Sequence, residues 1–282
     1  MKKILILGND GYIGSHVENW LKKDETLEVD GLCIKNDAWK DKDFTGYDVI
    51  INAAGIAHIQ PREELRSLFY SINTDLTIRL CEKSKLSGAG QFIFLSSMNV
   101  FGDHCGIVTN TDNPSPTSFY GDSKLKADQA IQKMNTDFFK VASVRPPAVY
   151  GKGCKGNFPT LVRHAARLPV FPDYEQKKSM IYIDNLCEFI RLLIEHESFG
   201  VFHPQNREYT STTEMVREIA RVQGHSIRFT KIFNPLLRLL EKRIRIINRA
   251  FADDAYELEL SGDFNWEYCV MDFGATIKES IA

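Results

Sequence analysis

Short continuous apolar runs alternate along the first half of the chain with stretches in which apolar residues recur every three or four positions. Residues 4–7 are apolar throughout, as in a strand buried on both faces, and Ile13, Val17 and Leu21 then follow at helical spacing. Further predicted strands lie at 29–34, 48–52, 91–95 and 140–144, and further predicted helices at 72–80 and 125–134. This alternation predicts an α/β fold with a doubly wound parallel sheet and right-handed crossovers.

The pattern changes after residue 150, where a glycine-rich loop at 151–156 leads into helices mixed with isolated short strands. Residues 179–182 and 201–203 are predicted to return to the first sheet as strands. We therefore expect a first domain of residues 1–153 and 180–203, and a smaller, discontinuous C-terminal lobe of residues 154–179 and 204–282. No stretch is typical of a flexible linker, so we expect the lobes to pack directly around a cleft, where small-molecule sites often lie.

Composition and charge narrow the function classes. The net charge of −2 argues against a general electrostatic hold on nucleic acid, and no apolar run approaches the ~18 residues of a membrane-spanning helix. The six cysteines are scattered, without a CxxC pair or the spacing of a zinc site. We expect a cytoplasmic protein with reduced thiols, no metal, no nucleic-acid partner and no integral membrane segment.

A glycine-rich segment, GNDGYIG at residues 8–14, joins the first predicted strand to the first predicted helix. Glycines let the backbone turn tightly and approach a pyrophosphate, and the helix N-terminus behind them offers free N–H donors. The spacing is GxxGxxG rather than GxGxxG, and such a turn also occurs for purely structural reasons. Its position after an N-terminal strand favours a dinucleotide-binding site.

Two further groups of residues are candidates for proton chemistry. Tyr120 and Lys124 lie four positions apart, so on a helix they share a face, and a nearby ammonium lowers the pKa of a phenol towards the range of general acid–base work. Ser96 and Ser97 follow a predicted strand at its carboxyl end, where open α/β sheets bind their ligands. Each group alone also has a plainer explanation, as a surface Tyr–Lys pair or as serines that cap a strand end.

Taken together, these motifs resemble those of the extended short-chain dehydrogenase/reductases, and in particular the NAD-dependent epimerase/dehydratase family that acts on nucleotide-sugars. Other stretches carry the resemblance over most of the chain: NAAG at 52–55, Asn73 near a helix start, SSMNVFG at 96–102, RPPAVYG at 145–151, NF at 157–158 and YIDN at 182–185. The resemblance implies a Rossmann-type sheet with a separate substrate lobe.

The resemblance also implies roles for individual residues. Ser97, Tyr120 and Lys124 would be the catalytic residues, and Lys124 would also hydrogen-bond the nicotinamide ribose. The residues implied in cofactor binding are Gly8, Asp10, Gly11, Tyr12, Ile13, Gly14, Lys35, Asn36, Ala53, Ala54, Gly55, Asn73, Tyr120, Lys124 and Pro147. Those implied in substrate binding are Ser97, Asn99, Tyr120, Asn157, Phe158 and Lys178. The implied substrate is a UDP-sugar, and a homodimer would be in keeping with the family.

Departures from the family pattern narrow the reaction. Sugar dehydratases carry a Thr-Asp-Glu run, but here the positions are Ser97, Met98 and Asn99, which are poorly suited to remove water. His104 and Cys105 lie several residues beyond this motif and are interpreted as ordinary loop residues. Hydride transfer remains, and we expect reduction of a UDP-4-keto-6-deoxy-N-acetylhexosamine in surface-polysaccharide biosynthesis. A UDP-hexose 4-epimerase with tightly bound NAD and an NAD(P)-sensing regulator remain as alternatives.

The second predicted strand bears on the choice of cofactor. In the resembled fold, a carboxylate at its end selects NAD, whereas a basic residue accommodates the 2′-phosphate of NADP. Here the strand runs into Lys35 and Asn36, while Asp30 lies inside it. This order predicts NADPH, with NAD as the alternative if Asp37 folds back onto the ribose.

Residues 234–249 combine an apolar stripe with many basic side chains. They are interpreted first as one amphipathic helix that covers the core of the second lobe. A contact with the diphosphate of a sugar-nucleotide and attachment to an anionic membrane are the two functional alternatives.

Overall fold

A computed structural model describes residues 1–57, 59, 62–103 and 106–282. The strands are β1 Lys2–Leu7, β2 Leu27–Leu32, β3 Val49–Asn52, β4 Gln91–Leu95, β5 Gly106–Val108, β6 Lys140–Val144, β7 Ala148–Tyr150, β8 Val170–Pro172, β9 Met180–Tyr182, β10 Gly200–Phe202, β11 Arg228–Thr230 and β12 Asp254–Tyr256. The helices are α1 Tyr12–Leu21, α2 Arg66–Tyr70, α3 Leu76–Leu86, α4 Phe119–Gln132, α5 Asn157–Ala165, α6 Ile183–Glu195, α7 Thr212–Val222, α8 Asn234–Glu241, α9 Arg245–Phe251 and α10 Phe273–Ile281.

Six strands form one parallel sheet in the order β2-β1-β3-β4-β6-β10. The chain moves outward from β1 to β2 on one side and then returns to place β3 on the other side of β1. A ligand site is expected where the strand order reverses in this way, and the glycine-rich segment leaves β1 at this point. The predicted Rossmann-type α/β fold is confirmed.

Both faces of this sheet are covered. Leu5 and Leu7 of β1 belong to a buried cluster that includes Leu80 of α3 and Ala127 of α4. Because side chains alternate along a strand, Ile4 and Ile6 point to the opposite face, and they are also fully buried. The apolar run at the start of the chain is therefore explained by burial on both sides of β1.

Contacts divide the chain into two compact units. The first contains the described residues within 1–103, 113–146 and 183–204, and the second contains the described residues within 104–112, 147–182 and 205–282. The second unit holds three parallel strand pairs, β5 with β12, β7 with β9, and β8 with β11. Its interior includes the fully buried rings of Tyr150, Tyr256 and Tyr268.

The expectation that residues 179–182 return to the first sheet is wrong. Strand β9 pairs with β7, in the register Ala148 to Met180 and Tyr150 to Tyr182. A strand formed by residues 179–182 cannot pair with β6, because both edges of β6 are already paired, one with β4 and the other with β10. Among the described strands, β10 makes the return of the chain to that sheet, as residues 201–203 predicted.

The prediction of one helix over residues 234–249 is also wrong. The segment forms two helices, α8 and α9, because Ile244 between them adopts an extended backbone conformation. None of the residues of α8 is buried, so this helix does not cover a core in the way its pattern suggested. Among the described helices, none combines the length and the apolar character required to cross a bilayer.

Candidate active site

The glycine-rich turn between β1 and α1 is so tight that its backbone segments lie close to one another. The N–H of Gly11 donates to the carbonyl oxygen of Gly8 at 3.0 Å. A Cβ at Gly14 would lie only 2.3 Å from that same oxygen, so only glycine fits there. Gly11 precedes α1 and no side chain caps the helix, and its first turn carries no acidic residue. The N-terminal N–H groups of α1 and its dipole thus suit the diphosphate of a dinucleotide.

The residues after β2 differ in detail from the prediction, because β2 ends at Leu32 rather than at residue 34. The Lys35 ammonium lies 2.7 Å from a carboxylate oxygen of Asp10 in the glycine-rich turn, and 77% of the Lys35 side chain is exposed. This hydrogen bond holds the pKa of Asp10 below its usual value. Lys35, Asp10 and the turn therefore form one group at the end of the sheet.

Two other carboxylates near β2 are occupied elsewhere. Asp30 lies inside β2 and accepts a hydrogen bond from the Tyr47 hydroxyl at 2.6 Å. Asp37 pairs with the Lys40 ammonium at 2.6 Å, and it follows Asn36 in a turn where both residues have positive φ. Neither acid is oriented towards Lys35 by these contacts.

The end of β3 is tied to the helical region that follows it. The N–H of Ile56 donates to the side-chain oxygen of Asn73 at 2.9 Å, and the Asn73 amide donates back to the Ile56 carbonyl at 3.2 Å and to the Ser123 hydroxyl at 3.1 Å. Asn73 therefore joins the strand end, including the adjacent Gly55, to α4.

The position of Asn73 in its helix differs from the expectation. It does not start a helix but lies in a π-helical turn, Ser71–Asp75, between α2 and α3. Single π-helical turns within a helix are frequent at functional sites. Ala53 and Ala54 lie just beyond β3, and Ala54 is so close to Gly8 that a Cβ at Gly8 would meet its Cα at 2.8 Å.

The predicted catalytic residues come together at the ends of β4 and α4. Helix α4 begins at Phe119, six residues earlier than its apolar pattern indicated, and Ser118 caps it through a hydrogen bond from Gly121 N–H. Tyr120 and Lys124 therefore lie on its first two turns. A Cβ at Gly121 would lie 2.2 Å from the Asn99 carbonyl oxygen, so glycine allows α4 to pack directly against the segment that follows Ser97.

Ser97 both caps a short helical turn and interacts with Tyr120. Its hydroxyl accepts from the Asn99 N–H at 3.2 Å and caps the short helical turn Met98–Phe101, and it also donates to the Asn99 side-chain oxygen at 3.0 Å. Ser97 also interacts with the Tyr120 hydroxyl in the direction that lowers the Tyr120 pKa. Because a serine hydroxyl has a single proton, donation to Tyr120 and donation to Asn99 are alternatives. Ser97 therefore caps the helical turn that follows β4 rather than the strand end itself, and this structural role does not remove it from the site.

The electrostatics of Tyr120 differ from the expectation. Burial raises the pKa of Tyr120, and the hydrogen bond with Ser97 opposes this shift without reversing it. The Lys124 ammonium donates instead to the Leu95 carbonyl at 2.8 Å and lies 4.6 Å from the centre of the Phe94 ring. The prediction that Lys124 lowers the Tyr120 pKa is therefore wrong for this structure, and the phenol keeps its proton at neutral pH.

Lys124 is almost completely buried, with 4% of its surface exposed. Burial lowers its pKa to about 8, and the charge of Asp128 one helical turn later opposes this shift. A buried lysine with few charged neighbours is destabilising, so its presence is typical of a functional site.

One buried polar group beside this site was not predicted from the sequence. Asp128 accepts hydrogen bonds from the Ser96 hydroxyl and from the Arg145 guanidinium, both at 2.9 Å. Burial raises the pKa of Asp128, while Arg145 acts in the opposite direction. An acidic residue four positions after Lys124 was the available signal, since it must share a helix face with Lys124.

Of the remaining predicted site residues, Tyr12 and Ile13 lie at the start of α1, and the others lie in the second unit. In the second unit, Asn157 begins α5 and is exposed, the Phe158 ring is buried 5.5 Å from the Tyr150 ring, and Pro147 precedes β7. The Lys178 ammonium donates to the Arg249 carbonyl at 2.7 Å, which gives it a structural partner. His104 and Cys105 lie outside the described residues.

Comparison with known proteins places this arrangement in a family. The model of the NAD dependent epimerase/dehydratase family matches residues 4–204, so the chain belongs to that family. A UDP-glucose 4-epimerase of Vibrio cholerae is 31% identical over 247 residues, which are 78% of this chain and 75% of that protein. The protein is accordingly an NAD(P)-dependent enzyme of the extended short-chain dehydrogenase/reductase type.

Solved structures show the same fold at lower identity. UDP-glucuronic acid 4-epimerase from Bacillus cereus, in complex with NAD, has a TM-score of 0.76 at 18% identity over 99% of this chain and 94% of that one. dTDP-4-dehydrorhamnose reductase from Bacillus anthracis, in complex with NADP, has a TM-score of 0.74 at 20% identity over 100% and 99%. Epimerases and reductases, with either cofactor, thus share this architecture.

Proposed function

We propose that the protein reduces the 4-keto group of a UDP-4-keto-6-deoxy-N-acetylhexosamine with NADPH. The observation that supports the proposal is the position of Tyr120 beside Ser97, where the first turn of α4 packs against the segment after β4. Burial raises the Tyr120 pKa in addition. Reduction of a ketone requires a proton donor, and a phenol that holds its proton at neutral pH meets this requirement.

In the proposed reaction, the Ser97 and Tyr120 hydroxyls hydrogen-bond the keto oxygen and polarise the carbonyl. A reduced nicotinamide cofactor, when bound, supplies the hydride to the carbonyl carbon. Tyr120 transfers its proton to the oxygen, so the ketone becomes an alcohol with one hydride and one proton added. The Lys124 ammonium would hydrogen-bond the nicotinamide ribose of the bound cofactor.

Residues beside Ser97 support reduction over dehydration. Met98 has no exchangeable proton, and the Asn99 amide donates to Asp103 at 2.9 Å while its oxygen accepts from Ser97. Neither residue can act as the acid or base that removes water from a sugar. In the second unit, Asn157, Phe158 and Lys178 remain the predicted substrate contacts.

A second candidate function is 4-epimerisation of a UDP-hexose with NAD retained throughout the reaction. The specific observation in its favour is the name of the Vibrio cholerae relative, a UDP-glucose 4-epimerase that shares 31% identity. An epimerase first removes a proton from the sugar hydroxyl, and this step requires a Tyr120 pKa lowered by the bound cofactor.

The decisive experiment compares the two reactions on the same preparation. The protein is incubated with UDP-4-keto-6-deoxy-N-acetylglucosamine and NADPH while nicotinamide absorbance is followed, and separately with UDP-glucose and with UDP-galactose. Net consumption of NADPH supports the reductase. Interconversion of the UDP-hexoses without consumption supports the epimerase, and the absence of both reactions contradicts both proposals.

The proposed preference for NADPH is based on Lys35. Its ammonium lies at the glycine-rich turn, and in the proposal the 2′-phosphate replaces Asp10 as its partner. Titration of NADPH and NADH into the wild type, Lys35→Ala and Asp10→Asn tests this assignment. We expect Lys35→Ala to remove the NADPH preference and Asp10→Asn to strengthen it, and tighter binding of NADH by the wild type would refute the assignment.

A further inference from the structure

Residues 231–251 of the second unit, called here the basic apolar segment, expose a set of large apolar side chains. Ile232 is 81% exposed and Ile246 is 80% exposed, and Leu236 and Leu239 of α8 are 55% and 57% exposed. Leu237 and Leu240 of the same helix are less exposed. Helix α8 therefore carries apolar residues on its outer side as well as on its inner side.

The spacing of the exposed residues places them on one side of α8. Leu236 and Leu239 are three positions apart and so are neighbours on the helix surface. Ile232 lies one turn before Leu236, at the entry to the helix. Contiguous exposed apolar surface of this kind, unlike single exposed residues, marks an interaction site.

The same segment is strongly basic although the chain as a whole is slightly acidic. Its sequence contains six lysines and arginines and one acidic residue, whereas the net charge of the chain is −2. Arg238, Lys242, Arg243 and Arg249 are exposed. The acidic residue, Glu241, accepts a hydrogen bond from the Tyr174 hydroxyl at 2.8 Å.

This combination of charge and apolar surface decides between classes of partner. A second copy of the chain would place the same basic surface against itself across a two-fold axis, and such like-charge contact is unfavourable. Nucleic acid would satisfy the cations but would leave the exposed leucine and isoleucine side chains in water. An anionic lipid surface satisfies both, since phosphates meet the cations and apolar side chains enter the boundary between headgroups and acyl chains.

We propose that the basic apolar segment attaches the protein peripherally to the surface of an anionic phospholipid bilayer. Ile232, Leu236 and Leu239 insert below the headgroups, and Arg238, Lys242 and Arg243 contact lipid phosphates. The segment belongs to the second unit, whereas Ser97, Tyr120 and Lys124 belong to the first, and the inference does not depend on the proposed reaction.

The test is flotation of the full chain with vesicles of phosphatidylcholine alone and of phosphatidylcholine mixed with phosphatidylglycerol. We expect binding to the mixed vesicles only, and weakening as salt is raised. Lys242→Glu/Arg243→Glu should reduce vesicle affinity by at least ~20-fold, because each basic residue near an anionic surface contributes roughly a factor of five. Leu236→Asn/Leu239→Asn should also reduce binding. Because this variant keeps all the charges, its loss of binding distinguishes apolar insertion from charge attraction alone.

Two matched variants serve as controls. Lys133→Glu/Lys278→Glu makes the same change in net charge at exposed positions outside the segment, and Leu86→Asn replaces a leucine that is 88% exposed on α3. Both should float with the mixed vesicles as the wild type does, and circular dichroism verifies that every variant is folded.

Several outcomes would overturn the proposal. These are failure of the folded wild type to float, equal flotation with neutral vesicles, and segment variants that float as well as the controls. A dimer in sedimentation velocity that Leu236→Asn/Leu239→Asn abolishes, without vesicle binding, would assign the surface to a second copy. A raised KM for the UDP-sugar in Lys242→Glu/Arg243→Glu, without vesicle binding, would assign it to the substrate diphosphate.

Discussion

At the scale of single residues, the protonation of Tyr120 is the feature on which the proposed chemistry depends. The phenol is desolvated, and its hydrogen bond with Ser97 does not bring its pKa below the usual value. Lys124, which the sequence placed near it, is directed to the Leu95 carbonyl. Tyr120 and Lys124 thus lie on the same helix, but Tyr120 interacts with Ser97 and Lys124 with the Leu95 carbonyl.

Replacement of Tyr120 by phenylalanine removes the proposed proton donor without changing the ring. We expect turnover to fall by ~10²–10⁴-fold, the usual contribution of a positioned acid, with little change in cofactor affinity. Turnover and cofactor titration measure the two effects. Tyr70→Phe is the matched control, because the Tyr70 hydroxyl donates to the Asp122 carboxylate and is not assigned to the site. Near-normal turnover in Tyr120→Phe would show that another group supplies the proton.

The burial of Lys124 allows a prediction of how the stability of the folded protein changes with pH. The pKa of its ammonium is about 8 in the folded protein, against 10.5 for an ordinary exposed lysine, so between these values the unfolded chain binds more protons. Stability therefore rises with pH across this window, and at neutral pH the buried ammonium costs up to about 3 kcal/mol.

The variant Lys124→Met removes this charge and keeps most of the side-chain volume. We expect the cofactor-free variant to be more stable than the wild type near pH 7 by ~1–3 kcal/mol. The difference should shrink as pH rises from about 8, the pKa of Lys124 in the folded protein, towards 10.5, the value for an ordinary lysine. Urea denaturation at several pH values measures it. Turnover should be lost at every pH, because the variant lacks the proposed cation. A variant that is less stable at neutral pH would show that the ammonium is well compensated by its neighbours.

At the scale of elements, the site depends on how closely α4 approaches the turn after β4. Gly121 permits this approach, because any Cβ there would lie 2.2 Å from the Asn99 carbonyl oxygen. Since this oxygen belongs to the backbone, it cannot move aside as a flexible side chain would.

We expect Gly121→Ala to separate α4 from the Ser97 turn. The free energy of unfolding should fall by ~1–3 kcal/mol, as for other overpacked sites, and turnover should fall further than this loss explains. Urea denaturation and steady-state kinetics measure the two effects. Gly262→Ala is the control, because the nearest atom to a Cβ at Gly262 is 3.8 Å away and its φ is negative. Normal turnover in Gly121→Ala would mean that the turn relaxes without moving Ser97.

At the scale of the whole molecule, cofactor binding should be visible as a gain in stability. A ligand that binds only the folded state, present at 100 times its Kd, stabilises by ~2.7 kcal/mol, which corresponds to a rise in Tm of roughly 5–10 °C. We expect NADPH to raise the Tm more than NADH at equal concentration. Differential scanning fluorimetry measures this, and an equal or larger shift with NADH would contradict the Lys35 assignment.

Some features of this fold are determined by residues close together in the sequence, and others by residues far apart. The first kind was predicted well and the second was not. Strand β1, the glycine-rich turn and α1 were predicted well, because an apolar run, closely spaced glycines and a 3.6-residue period are local signals. Helix α4 was predicted to begin too late, because its first turns are polar and are held by the Ser118 cap and by packing rather than by an apolar stripe. The pairing of residues 179–182 was predicted wrongly, because a short apolar stretch does not specify a partner strand.

The sequence alone was enough to predict the class of the protein: an α/β dinucleotide-binding fold, its glycine-rich turn, and Ser97, Tyr120 and Lys124 as candidate catalytic residues. The tertiary structure decided the contacts that join distant segments, namely the Lys35–Asp10 pair, the Asp128–Arg145 pair and the partner of β9. It also decided that the Tyr120 pKa is raised and that α8 is exposed. The physical reason is that burial and charge environment depend on which segments meet in space, and periodicity along the chain carries no information about that.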